Sequence, residues 1–344
     1  MDGVINVYKE KGYTSHDVVA IVRKTLNIKK VGHTGTLDPD AEGVLPVCIG
    51  SATKLADYIM AERKSYRAVI AFGAETTTQD GSGEITQRFE YDFDESRLIE
   101  AVKSFIGEQE QLPPMYSAIK VNGKKLYELA RQGKEVERKA RPVEIYSLEI
   151  EKMDLPRVTM SINCSKGTYI RTLCYDIGTV LGCGGCMEKL VRTKVDRFEI
   201  AESLRLDEVE ELTAAGRLDE KIVPVDQMFS SLPEFVSEGE ELDRLLHNGN
   251  FFSRDFIPGT LVDEWMQKLQ GDTEHTAETA EEGENVETME SVESGESSGG
   301  AGDGGSAQEL RIRVYDSGRR FVGIYSYAEE ENKWKPKKIF LGGD

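Results

Sequence analysis

Residues 31–54 read VGHTGTLDPDAEGVLPVCIGSATK and set one carboxylate, Asp38, between turn-forming residues and an apolar run. Glycines at 32, 35, 43 and 50 with Pro39 preset a tight backbone, while His33, Thr34 and Thr36 gather polar groups around the acid. The run from Val44 to Ile49 then reads as a buried strand. An Asp before Pro is by itself most often a turn former. To act as nucleophile or base it must be ionised yet partly desolvated, so a cation or donors must come from elsewhere in the chain.

The segment CSKGTYIRTLCYDIG, residues 164–178, offers such a cation. A strand ends there in Ser165, Lys166 and Gly167, a helix opens at Thr168, and Arg171 falls in its first turn beside Tyr169 and Ile170. A guanidinium so placed can grip a carboxylate bidentately, or simply lie on a solvated helix face. In KSYRAVIAFG, residues 64–73, Tyr66, Ala68, Ile70 and Phe72 alternate with Arg67, Val69 and Ala71, the period of a strand. Tyr66, between Lys64 and Arg67, is then either a packing residue or a platform for stacking a base. Residues 118–146 carry eight Lys and Arg against four Glu, interleaved with Tyr127. Such a patch suits phosphate contacts, although a solvated charged helix has the same composition.

Residues 1–230 alternate strand-like and helix-like patterns. Helices are expected at Thr14 or Ser15 through Leu26, at Ala52–Met60, Glu95–Ile106 and Thr168–Leu181. Strands are expected at Tyr116–Val121, Val143–Lys152 and Val158–Cys164. Without strict βαβ spacing, this order implies an α+β fold with a mixed, largely antiparallel central sheet flanked by helices. The pattern breaks near Pro233. Residues 235–344 read as a small β-rich domain with one helix, ELDRLLHNGN, and short strands near Leu261, over Leu310–Tyr327 and over Lys337–Leu341. Residues 270–308 interrupt it with Glu, Gly, Ser and Thr, a composition expected to stay disordered because it buries too little surface to offset ordering entropy.

The formal charge of −19 argues against a nucleic-acid partner until its distribution is read. Residues 263–309 hold 14 Asp and Glu against one Lys, so that segment carries −13 and the rest of the chain −6. Five scattered cysteines and a lone C-x-x-C, Cys183 and Cys186, fit a reducing compartment rather than a disulfide framework or zinc site. No apolar run is long enough to span a membrane, no leader pattern opens the chain, and a cytoplasmic location is expected. With four histidines and no phosphate-binding glycine loop, dinucleotide fingerprint, zinc-protease or serine-hydrolase motif, neither metal nor cofactor is expected.

GHTGTLDPDAEGVLPV, KSYRA, PMYSAIKVNGKKLYELARQG and CSKGTYIRTL stand in the order found in the TruB-type tRNA pseudouridine synthases, which the chain resembles over residues 3–228. The C-terminal part resembles, less specifically, the PUA-like RNA-binding domain of that family. The resemblance implies the pseudouridine synthase fold and isomerisation of uridine 55 in the tRNA T-loop. It places Asp38 at the aspartate that attacks the ribose C1′ or base C6, and Arg171 at its arginine partner. Tyr66 falls at the aromatic that stacks on the flipped base and is implicated in removing the C5 proton. His33 matches the histidine that fills the vacated space, and Tyr169 and Leu190 line the pocket. Lys9 and Lys64, with Lys124, Lys125, Arg131 and Arg141 of the basic segment, are expected to touch RNA. Two departures stand out: Glu10 follows Lys9 where the family has proline, and the acidic stretch 270–308, not a feature expected of the family, should repel phosphates unless it points away.

The expected partner is tRNA, through its T-loop and the acceptor and T stems, with no obligate protein partner. The basic segment favours a stand-alone enzyme over the guide-RNA-dependent relatives, which lack that insertion. A tRNA-folding chaperone with secondary or lost isomerase activity is the alternative from a different class.

Overall fold

A computed structural model describes residues 1–90, 92–121, 123–268 and 309–341. The acidic stretch expected to be disordered, 270–308, lies outside the described residues. The chain divides into two units, Met1–Val223 and Pro224–Asp344.

The first unit is built on a ten-stranded sheet. Its main order is Ile222–Val223, Gly3–Lys9, Glu42–Ile49, Gly185–Val195, Lys64–Phe72, Arg157–Cys164, Arg141–Asp154 and Gly107–Gln111. Val31–His33 adds to Glu42–Ile49, and Phe198–Glu199 to Gly185–Val195. The sheet is mixed and largely antiparallel, as expected: the parallel contact is between Gly185–Val195 and Glu42–Ile49, with Arg192 opposite Gly43. That crossing requires glycine at 43, because a Cβ there would lie 2.2 Å from the Arg192 carbonyl oxygen and φ is +107°.

Local sequence explains the flanking helices. Ser15–Leu26 is capped by Thr14, whose hydroxyl accepts from the Asp17 amide while the Asp17 carboxylate accepts from the Thr14 amide at 2.8 Å. Its Val18, Val19 and Val22 are buried. Ile170–Leu181 buries Ile170, Leu173, Cys174, Ile177 and Leu181 and ends at Gly182, left-handed at φ 72°. Leu37 and Ala41 of the Asp38 loop join the same core as Tyr66 and Leu190. Burying Leu37, which is 4% exposed, contributes on the order of 2 kcal/mol to anchoring that loop.

Several sequence expectations need correction. Of the strand expected over Tyr116–Val121, only Lys120–Val121 is β, paired in a hairpin with Lys124–Lys125. The preceding Pro113 and Pro114 cannot donate to a ladder, and the Tyr116 carbonyl is taken by Arg171. Residues 141–146, read as part of the basic segment, open the sheet strand Arg141–Asp154. The helix expected over Ala52–Met60 is a 3₁₀ turn, Gly50–Leu55, followed by the short α-helix Ala56–Met60. The central strand Gly185–Val195 escaped period-two reading because register shifts at Met187/Lys189 and Arg192/Lys194 break its alternation.

The second unit holds a five-stranded sheet in the order Glu234–Val236, Arg311–Tyr315, Phe321–Ala328, Lys333–Ile339 and Phe252–Ser253. The helix Glu240–His247 buries Leu242 and Leu246 in a core with Phe235, Phe252, Ile312, Tyr325 and Trp334. The short strand expected near Leu261 is instead helical, over 259–268, with Val262 and Trp265 turned into the core at helical spacing.

Candidate active site

Arg171 and Asp38 meet. Arg171 Nε lies 3.0 Å from Asp38 Oδ2 and Nη2 lies 3.4 Å from Oδ1, so the guanidinium edge spans both carboxylate oxygens. Nη2 also donates to the Tyr116 carbonyl at 2.8 Å, and Nη1 to the Thr78 carbonyl at 3.2 Å and Asp80 Oδ2 at 3.4 Å. A cation in the first turn of a helix opposes the helix dipole, and two carboxylates with two carbonyls offset that penalty. The Arg171 side chain is 6% exposed, whereas that of Asp38 keeps 39%. Asp38 is therefore gripped from beneath and open from above. Its burial raises the carboxyl above the ordinary 3.8, Arg171 and Lys9 draw it back, and the Asp80 carboxylate adds to the rise.

The loop carrying Asp38 is braced at each turn. The Leu37 amide donates to Ser15 Oγ at 2.9 Å, the Ala41 amide to the Asp38 carbonyl at 3.1 Å, and the Gly12 amide to the Pro39 carbonyl at 2.9 Å. Lys9, expected to contact RNA, is fully buried and donates to the carbonyls of Glu10 (3.2 Å), Tyr13 (2.6 Å) and Pro39 (3.1 Å). Its ammonium ties the end of the first strand to the turn after Asp38 and faces no solvent. Burial lowers it to about 8 despite the Asp38 and Glu42 charges. Lys64, likewise expected on RNA, is 7% exposed and donates to the carbonyls of Met60 (3.0 Å) and Glu62 (2.7 Å).

Tyr66 and Leu190 lie on adjacent strands, with Leu190 opposite Ala68 and Arg192 opposite Tyr66. Tyr66 is 8% exposed, and burial pushes its hydroxyl up to about 12 while the neighbouring Arg192 guanidinium draws it back. His33 closes the strand Val31–His33, packs edge-on against His16 with ring centroids 5.3 Å apart, and accepts the Gly35 amide on Nδ1 at 3.2 Å. Burial, with His16 and Arg192 nearby, lowers its imidazole to about 4, so it is neutral at physiological pH. The half-buried Tyr169 is locked at the head of Ile170–Leu181: Gln111 donates to its carbonyl at 3.1 Å and accepts its amide at 2.7 Å. Lys124, Arg131 and Arg141 are exposed, and Lys125 Nζ and Arg131 Cζ each lie 5.4 Å from the Tyr127 ring centroid. A cavity of about 440 Å³ beside Tyr169 is lined by Ile119, Arg141, Val143 and Lys166.

Sequence reasoning passed over Asp80. Its Oδ1 accepts Thr78 Oγ1 at 2.7 Å and the Ser82 amide at 2.9 Å, which turns Oδ2 toward Arg171. The signal was present as a turn-forming TTTQDGSG stretch, but nothing in it names the partner. The Gln111 clamp had no signal, since 58 residues separate it from Tyr169. Among the described residues, no group of three or more His, Cys, Asp and Glu is arranged to hold a metal ion, and no helix is long and apolar enough to cross a membrane.

Comparison with known proteins adds a family to this geometry. The N-terminal domain of TruB family pseudouridylate synthases matches residues 23–170, and the tRNA pseudouridylate synthase B C-terminal domain matches residues 171–230. The tRNA pseudouridine synthase B of Alkaliphilus oremlandii is 48% identical over 78% of this chain and 89% of its own. The protein of the same name from Lachnoclostridium phytofermentans is 44% identical over 99% of this chain and 100% of its own. Among solved structures, a chain of an H/ACA RNP bound to a substrate RNA containing 2'-deoxyuridine superposes with a TM-score of 0.63 at 21% identity, covering 99% of this chain and 86% of that one. A chain of a Cbf5-Nop10-Gar1 complex gives 0.61 at 22% identity, covering 99% and 85%. At that identity the two structures speak to fold alone, which is that of pseudouridine synthases. The matched domains and the relatives sharing nearly half their residues with it place the chain in the TruB family of pseudouridylate synthases.

Proposed function

We propose that this protein isomerises uridine to pseudouridine in tRNA, at position 55 of the T-loop, with Asp38 as nucleophile. The observation that carries the reading is a carboxylate held at 3.0 Å by a buried guanidinium while 39% of its own side chain stays open. A structural ion pair gains nothing from that asymmetry. A nucleophile needs it, because the carboxylate must be ionised, oriented and reachable.

A base folded into the T-loop has to be extruded first, at a cost of a few kcal/mol that protein contacts offset. His33, held neutral and oriented by the Gly35 amide, fills the space the base leaves by stacking rather than by charge. Tyr66 stacks on the extruded uracil, with Tyr169 and Leu190 closing the pocket. Asp38 attacks C1′ of the ribose or C6 of the base, and Arg171 keeps it ionised and aimed. The uracil detaches, turns and rejoins through C5, and Tyr66 takes part in removing the C5 proton. Lys124, Lys125, Arg131 and Arg141 contact stem phosphates, so affinity falls steeply with salt. The unit Pro224–Asp344 serves as a PUA-like RNA-binding domain, and the protein works in the cytoplasm without an obligate protein partner or guide RNA.

The test is direct. The full chain is incubated with unmodified tRNA transcript and pseudouridine is mapped by carbodiimide block of reverse transcription. A stop at the T-loop uridine is expected. Binding without that product would overturn the enzyme reading and leave a tRNA-folding chaperone.

A further inference from the structure

Arg192 is 1% exposed, and no carboxylate pairs with it among the described residues. A buried guanidinium without a counter-ion is costly, so what its donors hold matters. Nε donates to the Val44 carbonyl at 2.7 Å, on the strand that leaves the Asp38 loop. Nη2 donates to the Gly35 carbonyl at 3.2 Å, between His33 and Asp38. Tyr66 stands directly opposite Arg192 in the sheet, with its hydroxyl beside the guanidinium. One side chain thus ties both ends of the loop that bears Asp38 to the tyrosine that faces the base. Gly35, at φ +126°, holds a backbone conformation that side-chain-bearing residues rarely adopt.

We infer that Arg192 is a positioning residue, holding the Tyr66 hydroxyl and the Gly35–Val44 span in one rigid frame so that base and nucleophile keep a common register. The inference rests on the isomerase reading above. It needs the planar fork of arginine, since one lysine nitrogen cannot hold the Val44 and Gly35 carbonyls together while facing the Tyr66 hydroxyl. The charges that face Tyr66 are the Arg192 cation and the Asp38 carboxylate, with the Cys164 thiol as the neighbouring titratable group. Lys64 and the imidazole of His33 also lie near Arg192.

Arg192→Lys, Arg192→Gln, Tyr66→Phe and the double variant Arg192→Lys/Tyr66→Phe are compared with wild type as full chains. Each is measured for tRNA affinity by filter binding and for single-turnover pseudouridine formation. Both Arg192 variants are expected to lose about 10- to 100-fold in rate while affinity stays within about threefold. The double variant is expected to be no slower than the slower single one, because both changes remove the same contact. A residue that merely stabilises the fold would give rate losses that multiply. Multiplying losses, or an Arg192→Lys rate within about threefold of wild type, would overturn the inference. A wild-type protein that forms no pseudouridine would overturn both readings, whereas active wild type with unaffected Arg192 variants would overturn this one alone.

Discussion

Replacing Arg171 by lysine separates charge from geometry at the centre of the site. The cation stays, but the edge that spans Asp38, Nε to Oδ2 at 3.0 Å and Nη2 to Oδ1 at 3.4 Å, becomes one ammonium. At least one charge-assisted hydrogen bond to Asp38 is lost, worth about 1.5–3 kcal/mol. Because the Asp38 side chain is 39% exposed, solvent screening favours the lower part of that range. Aim is lost as well, since a single nitrogen leaves the carboxylate free to rotate, and misplacement of a nucleophile costs about 100-fold. Together these give a single-turnover rate lower by about 10³-fold. Stability suffers separately. The Thr78 and Tyr116 carbonyls lose donors at 3.2 and 2.8 Å, and two buried acceptors at about 1 kcal/mol each correspond to about 4–8 °C in Tm for a unit of this size. The assay is pseudouridine formation under excess enzyme, with tRNA affinity and Tm measured in parallel. A variant within about threefold of wild type in rate would refute the reasoning, because the fork would then be structural decoration.

Other expectations are read from the same geometry. Asp38→Asn should abolish turnover and leave tRNA affinity within about threefold, since the proposed role of the carboxylate is chemical rather than anchoring; retained turnover in a product-mapping assay would remove that role. Asp38 must be ionised to attack, and its pKa lies above 3.8, so the rate should fall with decreasing pH on a limb above that value. Asp80→Asn removes one of the charges that raise it and should move the limb to lower pH; an unmoved limb would show that Asp80 is not felt at Asp38. His33 is depressed from 6.5 to about 4 in the folded chain, so the unfolded chain binds the extra proton and stability falls as pH drops through that window. His33→Gln should flatten the Tm–pH curve between those values, and an unchanged slope in calorimetry would contradict the assignment.

Much of the site was legible in residue type and order. Local sequence made Asp38 and Arg171 candidates, through a Gly- and Pro-rich loop and the first turn of a helix that opens after a strand, and the family resemblance paired them. Both strand-period and helix-period signals were strong where side chains alternate cleanly, as in Lys64–Phe72 and Ile170–Leu181. Lysines were less readable. Lys9 and Lys64 look identical to Lys124 in sequence, yet the first two spend their protons on main-chain carbonyls in the interior. Nothing local distinguishes a lysine that reaches water from one that braces a turn.

The sequence alone carried the candidates for the proposed chemistry, Asp38, Arg171 and Tyr66, and an alternation of elements compatible with a mixed, largely antiparallel sheet. Those are properties of residue identity and short-range period, which the chain displays before it folds. Tertiary structure decided which groups share a proton or a charge. Asp80 reaches Arg171 across 91 residues, Gln111 clamps Tyr169 across 58, and Arg192 meets Gly35 across 157. Such pairings are set by strand order and register, so they exist only once the bulged strand Gly185–Val195 lies between Glu42–Ile49 and Lys64–Phe72.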